Sequence, residues 1–486
     1  MSLNDLRGWL DKLEAEGELK RIKTKVDWDG ELSAIVRKTF IQRGPALLFE
    51  NIKDHENTWC RRVFAGGLSG RSRIALMMGM PKDTPHHELV QLLRKRFKEP
   101  VKPVEVDAGP VKQNIVKGDD VDLFQIPVPK WHPLDGGRYI NTWCGVVTMD
   151  PDTGEHNVGM YRGMIISKNK IGVLLVPAQG WGAHYAKYQQ MGKPMPIAIV
   201  YGGDPSLGFM AATPLTSTSE YEAMGAIRQE PVSLVKCETS DLKVPASAEI
   251  VVEGSISPDP STYETEGPFG EWTGYYGMSR KRPVIVVDCI TFRNDPVFRG
   301  NLEGLKSGIV NESGATAYVG YSAVIWNMLE AQGIPGIQDV IPAPWTIVKI
   351  HKTYQGQARH IAAALWGSRL TVNIGKTVMV TEKDVDIHNM RALQLAVQTY
   401  VDPAKDIVIF PLEVGSSLDV SLPFEDREEL TYGASLQNKF LIDATIDWTT
   451  HPIRKDWGNR RLPPTCTEPL PEVEKLVESR WQEYGF

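Results

Sequence analysis

The feature that most constrains this chain is the hexapeptide Glu266-Gly-Pro-Phe-Gly-Glu271, in which two carboxylates bracket a Gly-Pro step and a second glycine. Proline lacks an N–H and glycine is a weak helix former, so the segment disfavours a helix. In a flat strand the two glutamates, five positions apart, point to opposite faces. A turn or bulge through Gly267-Pro268 removes that objection and lets both carboxylates converge on one cavity. Two nearby carboxylates repel, so one is expected to keep its proton closer to neutral pH and act as a proton donor. A surface turn with two solvated glutamates is the competing reading. The flanks favour the cavity. Residues 248–254 alternate like a strand and 283–288 form another, so the turn lies between sheet elements that can present a functional loop rigidly.

A chain of 486 residues is too long for one core and implies roughly two to four domains. A formal charge of −6 without a dense basic patch argues against nucleic acid as a partner. Cys60, Cys144, Cys237, Cys289 and Cys466 are odd in number and scattered, which suits reduced thiols better than disulfides or a thiolate metal site. The N-terminus reads as a helix start and not as a signal peptide. No apolar run approaches the roughly 20 residues that span a bilayer. A cytoplasmic location with no membrane partner is the expectation.

Along the chain, Ser2 and Asp5 have capping-box-like spacing. Leu6, Trp9, Leu10 and Leu13 then follow at helical intervals, so the first helix is amphipathic and stops near Gly17. A second helix over 30–42, a strand over 46–49, a glycine-rich loop over 66–70 and a helix over 87–97 make an N-terminal α/β region. From 119 to about 310 strands dominate, with candidates at 141–148, 159–167, 171–176 and 195–203, which suggests a β-barrel or sandwich. Beyond 318 helix and strand alternate (helices 322–332, 356–366 and 390–400; strands 345–350 and 376–380), predicting a second α/β domain with a partly parallel sheet. Residues 418–439 read as a polar loop and 471–484 as a terminal helix.

Several residues stand out chemically. Arg162 sits among apolar neighbours, and a guanidinium there needs a carboxylate partner, whether catalytic or purely structural. Asn157, His184 and Glu220 offer oxygen and nitrogen ligands to a divalent ion, although each alone fits a structural role equally. Lys376, in Gly375-Lys376-Thr377, could bind a phosphate without a Walker motif around it.

Taken together, Asn157-Val-Gly-Met-Tyr-Arg162, residues 230–239 with 244–246, and Glu266-Gly-Pro-Phe-Gly-Glu271 resemble the UbiD family of prenylated-flavin-dependent decarboxylases. Residues 192–198, 401–406 and 441–445 extend the resemblance over nearly the whole chain. It implies an α+β protein. An N-terminal α/β region (1–118) precedes a split β-barrel that binds prenylated FMN (119–317), a C-terminal α/β oligomerisation domain (318–465) and a C-terminal helix (466–486). It implies a carboxy-lyase acting reversibly and without oxidation on an aromatic, heteroaromatic or α,β-unsaturated acid. Carbon dioxide is its second product, and a prenyl-flavin synthase supplies its cofactor. Arg162 is implied to anchor the substrate carboxylate, Glu271 to donate the proton and Glu266 to tune it. Asn157, Val158, Gly159, Met160, Tyr161, Arg162, Gln179, Glu220 and Lys376 are implied cofactor contacts. Asn157 and Glu220, helped by a histidine, are implied to hold a divalent ion, typically Mn2+, with K+ bound near the carbonyls of 211–213. The chain departs from the pattern at Gln179-Gly-Trp-Gly-Ala-His184, where many relatives carry histidine directly after the glutamine. The third ligand is therefore His184 or is missing. A homodimer or homohexamer is the expected assembly. Two other readings remain open: a retaining glycosidase using the Glu266/Glu271 pair, and a non-catalytic subunit of a larger carboxylase.

Overall fold

The apolar spacing at Leu6, Trp9, Leu10 and Leu13 yields the helix Leu6–Ala15, whose four apolar residues are all buried. Asp5 caps it by accepting from Gly8 N at 2.8 Å, while Ser2 lies outside the described residues. The structure is a computed structural model that describes residues 4–215, 218–305, 309–371, 373–427, 435–464, 466 and 469–486. Helices Glu31–Ile41, Arg71–Met77 and His86–Phe97 complete the N-terminal region around a four-stranded sheet. Its strands Leu19–Ile22, Ala46–Phe49 and Arg62–Ala65 are joined by Val297–Arg299, which comes from far along the chain and pairs in parallel with Arg62–Ala65. The glycine-rich loop after Arg62–Ala65 donates Gly66 N (3.0 Å) and Leu68 N to the carboxylate of Glu312, the first residue of the helix Glu312–Ala331. That loop ties the first region to the last.

The middle of the chain is a nine-stranded sheet. Its order is Tyr139–Asn141, Gly163–Ser167, Lys170–Val173, Val284–Phe292, Ile250–Ile256, Met195–Tyr201, Gly145–Met149, His156–Gly159, with Asn114–Lys117 also paired to Val284–Phe292. The strands His156–Gly159 and Gly163–Ser167 lie near opposite ends of that order, yet only residues 160–162 join them. Four Cα steps reach at most about 14 Å. The sheet must therefore curl until its ends approach, and the result is a half-barrel with Arg162 on the strap that closes it.

Two predicted strands are interrupted for this reason. The stretch 159–167 is a strand end, a strap and a new strand, so Arg162 does not lie in a strand. The stretch 141–148 likewise breaks at 142–144 between Tyr139–Asn141 and Gly145–Met149. Three helices that sequence patterning does not predict, Gly180–Gln190, Pro205–Ala211 and Glu220–Arg228, fill the space around the strap.

The C-terminal sheet runs Ile337–Ile341, Thr346–Ile350, Thr377–Glu382, Leu436–Ala444, Ile407–Val414. Its central three strands are parallel and both edge strands antiparallel, so the expected partly parallel sheet is present. The long helix Glu312–Ala331 starts before residue 318. One hydrophobic cluster runs continuously from Leu6 through Trp143 and Phe209 to Ile361 and Leu441, so the three regions share a core. A second fills the half-barrel, and a small third lies under the helix Met390–Tyr400. No helix among the described residues is long and apolar enough to cross a membrane.

Candidate active site

The hairpin of Glu264–Glu266 with Arg280–Arg282 positions the first carboxylate, and the turn after it positions the second. Gly267 adopts φ +98, and a Cβ there would meet Met278 O at 2.4 Å, so this turn requires glycine. Gly277 is needed for a different reason: its Cβ would sit 2.8 Å from Arg162 Nη1. The turn is held from behind, with Gly136 N on Pro268 O (2.8 Å), Gly270 N on the Asp135 carboxylate (2.9 Å) and Glu271 N on Tyr275 O (3.0 Å).

On this scaffold Arg162 lies between the two glutamates. Its Nε and Nη2 donate to the two oxygens of Glu266 at 3.0 and 2.8 Å, and its Nη1 donates to Glu271 Oε1. The Arg162, Glu266 and Glu271 side chains are 7%, 0% and 10% exposed, which separates this group from a solvated surface turn. Glu266 is also bound by the Tyr139 hydroxyl at 2.6 Å and lies 3.3 Å from Arg282 Nε, so donors cover both its oxygens. The phenol ring of Tyr139 packs on Phe269, at 4.2 Å between centroids. Tyr139 and Arg282 escape a reading of the sequence because they lie 127 and 16 positions from Glu266 without a local pattern to link them.

The electrostatics divide the two glutamates. Burial raises the pKa of Glu271; the Arg162 charge opposes it without cancelling it, and Glu266 adds a smaller push upward. Sequence reasoning expects mutual repulsion to be the cause, whereas burial is the larger effect. Burial weakens the grip of Arg162 on its proton, but Glu266 and Glu271 together outweigh that and push its pKa upward. The trio is a fixed cation bracketed by one fully bonded carboxylate and one poised to hold a proton.

The strand His156–Gly159 carries the other group of residues. Asn157 faces Thr148 across the sheet, and Thr148 Oγ1 lies 3.0 Å from His184 Nδ1, so His184 is one neighbour removed from Asn157 with Nε2 left for another partner. Glu220 opens the helix Glu220–Arg228 behind a Ser219 cap and accepts from Val158 N at 3.2 Å. Burial pushes its carboxyl up to about 7, and among the described residues no cation lies within ion-pair distance of it. Position 180, directly after Gln179, is glycine. A Cβ there would come 2.1 Å from Asn157 Oδ1. An amide oxygen and a half-buried carboxylate that lacks an ion-pair partner among the described residues are donor types that suit a hard divalent cation, whereas His184 is tied to Thr148 and the described residues bring together no cluster of three His, Cys, Asp or Glu side chains.

The remaining predicted contacts are placed as follows. Tyr161 stacks on Trp181 at 4.2 Å, and its hydroxyl lies 3.3 Å from Asn157 Nδ2. Met160 N donates to Ala211 O at 2.9 Å, which occupies a carbonyl of the proposed K+ region. Gln179 immediately precedes the helix Gly180–Gln190. Lys376 does not reach this cluster through any direct contact. Its ammonium is held by Asp419 at 3.0 Å and Ser421 at 2.8 Å. Arg369, not singled out by sequence, lies close enough to Glu220 and Tyr161 to influence both.

Three family models match in succession. They are the N-terminal, Rift-related and C-terminal domains of 3-octaprenyl-4-hydroxybenzoate carboxy-lyase, over residues 10–93, 102–305 and 315–444. Among solved structures, the closed form of vanillic acid decarboxylase from Sedimentibacter hydroxybenzoicus is 29% identical over 99% of both chains, with a TM-score of 0.89. The UbiD-class enzyme HmfF from Pelotomaculum thermopropionicum in complex with FMN is 28% identical over 98% of this chain and 100% of its own, with a TM-score of 0.78. An evolved dimeric form of HmfF in complex with prFMN is 27% identical over the same shares, with a TM-score of 0.77.

Proposed function

The chain belongs to the UbiD carboxy-lyase family, and on that premise we propose that it reversibly decarboxylates an aromatic, heteroaromatic or α,β-unsaturated acid with prenylated FMN. It is a carboxy-lyase, and aromatic acid decarboxylation is the chemistry its relatives support. The observation that carries the finer reading is the buried Arg162 bridge between Glu266 and Glu271.

Loss of carbon dioxide leaves an electron pair on carbon, and the bound flavin supplies the sink for it. Arg162 binds and orients the substrate carboxylate as a fork would, at the face of the half-barrel where its Nη1 meets Glu271. Glu271 carries the proton, because its burial keeps the neutral form available, and delivers it to the carbon that loses the carboxylate. Glu266 holds Arg162 in place from behind. Asn157 and Glu220, with His184, would hold a divalent ion such as Mn2+ against the flavin phosphate. K+ would sit near 211–213, and Arg369 or Lys376 would supply further positive charge. Donation and abstraction by one carboxyl make carboxylation accessible at high carbon dioxide. A prenyl-flavin synthase would supply the cofactor, and a homodimer or homohexamer would be the working assembly.

A retaining glycosidase requires both carboxyl groups to reach the sugar, one to attack carbon and one to protonate the leaving group. Glu266 is fully buried with both oxygens bonded, so the pair does not meet that requirement. The test is production alongside a prenyl-flavin synthase, followed by a screen of the three acid classes for carbon dioxide release. A flavin-like absorption band with turnover by the purified homo-oligomer supports the proposal. Cofactor-loaded protein that releases no carbon dioxide from any class, or that turns over only with a second kind of subunit, overturns it.

A further inference from the structure

The turn that carries Glu271 is backed by a second carboxyl. Gly304 runs against its main chain, and a Cβ on Gly304 would sit 3.0 Å from Glu271 O. The preceding residue, Glu303, is partly buried. Asn301 Nδ2 donates to its Oε1 at 2.6 Å, Asn311 Nδ2 to its Oε2 at 2.9 Å, and the Ser313 hydroxyl to Oε1. Among the described residues no lysine or arginine pairs with Glu303. The Asn301 carboxamide oxygen beside it is buried without a hydrogen-bond partner among the described residues, an acceptor that a protonated carboxyl can serve and a carboxylate cannot.

The other titratable groups around this cluster are His132, Asp135, Arg37 and Glu271 itself. His132 places Nε2 3.1 Å from Glu303 O and Nδ1 3.0 Å from Arg37, and burial lowers its pKa to about 4, so it is neutral here. Asp135 accepts from His132 N and Gly270 N, and burial pushes it up to about 6. Burial likewise raises Glu303 to about 7 against its hydrogen bonds, with the Glu271 charge acting in the same direction.

The reaction creates a need that this arrangement meets. In each decarboxylation the bond from carbon to the carboxyl breaks, carbon dioxide leaves, and a new C–H bond takes the Glu271 proton. Glu271 is then a nearly buried carboxylate that must regain a proton before the next turnover. We propose that Glu303 returns it through bridging water: the Glu303 O–H bond breaks as a water takes its proton, that water gives a proton to the Glu271 carboxylate, and Glu303 recovers a proton from solvent. One solvent proton is consumed per carbon dioxide released. Glu303 is a positioning residue behind the catalytic acid, and the inference rests on the decarboxylase reading.

The test uses the cofactor-loaded enzyme and the variants Glu303→Gln and Glu303→Asp. In Glu303→Gln the first turnover should proceed at close to the wild-type rate, because Glu271 starts protonated. Steady-state kcat should fall at least about tenfold, a modest share of the usual effect of an acid–base group. The fall should be larger below pH 7, where Glu303 of the wild type is loaded, than above it. Glu303→Asp should recover part of the rate. Equal steady-state rates in Glu303→Gln and wild type across pH overturn the proposal. So does a first turnover slowed as much as the steady state, in both variants, which would make Glu303 structural. A wild-type enzyme that releases no carbon dioxide at all would instead overturn the decarboxylase reading.

Discussion

At the scale of single residues, the site assigns unequal tasks to two chemically identical glutamates. Glu266 is fully engaged by Arg162, Tyr139 and Arg282, whereas Glu271 meets Arg162 through one oxygen and retains a reason to be neutral. Glu271→Gln keeps the shape but cannot give a proton to carbon. Its turnover should fall at least about a hundredfold with cofactor binding unchanged. Solvent deuterium exchange into the unsubstituted product is the direct measurement, and exchange at the wild-type rate would remove Glu271 as donor. The pH dependence follows from the sign of the shift. The active form is protonated and the folded pKa is raised, so decarboxylation should hold at low pH and decline as pH rises through that raised value. Tyr139→Phe removes a buried hydrogen bond to a charged group. We expect a loss of roughly 1.5–3 kcal/mol in urea unfolding, with Arg162 less firmly placed and KM raised more than kcat is lowered. An unchanged urea midpoint would show that Arg162 and Arg282 suffice. Arg162→Lys should impair substrate binding and rate together, since an ammonium cannot form the paired bonds.

At the scale of elements, legibility depended on whether a segment's partner lay nearby in sequence. Leu6–Ala15 and Met195–Tyr201 are readable because periodicity or a continuous apolar run announces them. Gly180–Gln190 has two glycines among aromatic and polar residues, and its helix is stabilised by docking more than by its own pattern. Glu220–Arg228 carried a readable signal, the capping box of Ser219 and Glu222, and that box sets Glu220 facing Val158. Ile407–Val414 was hidden by Pro411 and by the left-handed Leu412 at its bulge. The Glu266-Gly-Pro-Phe-Gly-Glu271 turn was legible because its chemistry is local. Tyr139, Arg282 and Glu303 were not: Tyr139 comes from an end strand of the nine-stranded sheet, Arg282 from the far strand of the hairpin, and Glu303 from the segment that runs behind the turn. The helix start also supports a prediction. Glu220→Ala should lose the divalent ion and most bound flavin, since the phosphate would then face uncompensated charge. Elemental analysis and flavin absorbance measure both, and full retention of the two removes Glu220 from the site. His184→Ala should show a smaller loss of the same kind, and none if Thr148 is its only task.

At the scale of the whole molecule, the shared core explains the N-terminal and central regions but leaves the end of the chain uncovered. The helix Pro471–Ser479 keeps Val473, Leu476 and Val477 exposed, and Leu470, Trp481, Tyr484 and Phe486 extend the apolar surface. The edge strand Ile407–Val414 adds exposed Ile407, Ile409 and Leu412. Large apolar side chains left exposed on the terminal segment and on this edge strand suit association with another chain. A second copy of the chain offers the same surface, so a symmetric pairing buries both at once. Leu476→Glu with Trp481→Glu places two charges among the exposed apolar residues of this terminal segment. The substitution should lower the solution mass measured by light scattering from the oligomer towards the 54.2 kDa chain. Cofactor absorbance should persist, because the proposed cofactor contacts Asn157 and Glu220 lie on the strand His156–Gly159 and the helix Glu220–Arg228, outside the substituted segment. If the doubly substituted protein keeps the oligomeric mass on dilution, the terminal helix is not what joins the copies, and the exposed edge strand becomes the surface to change.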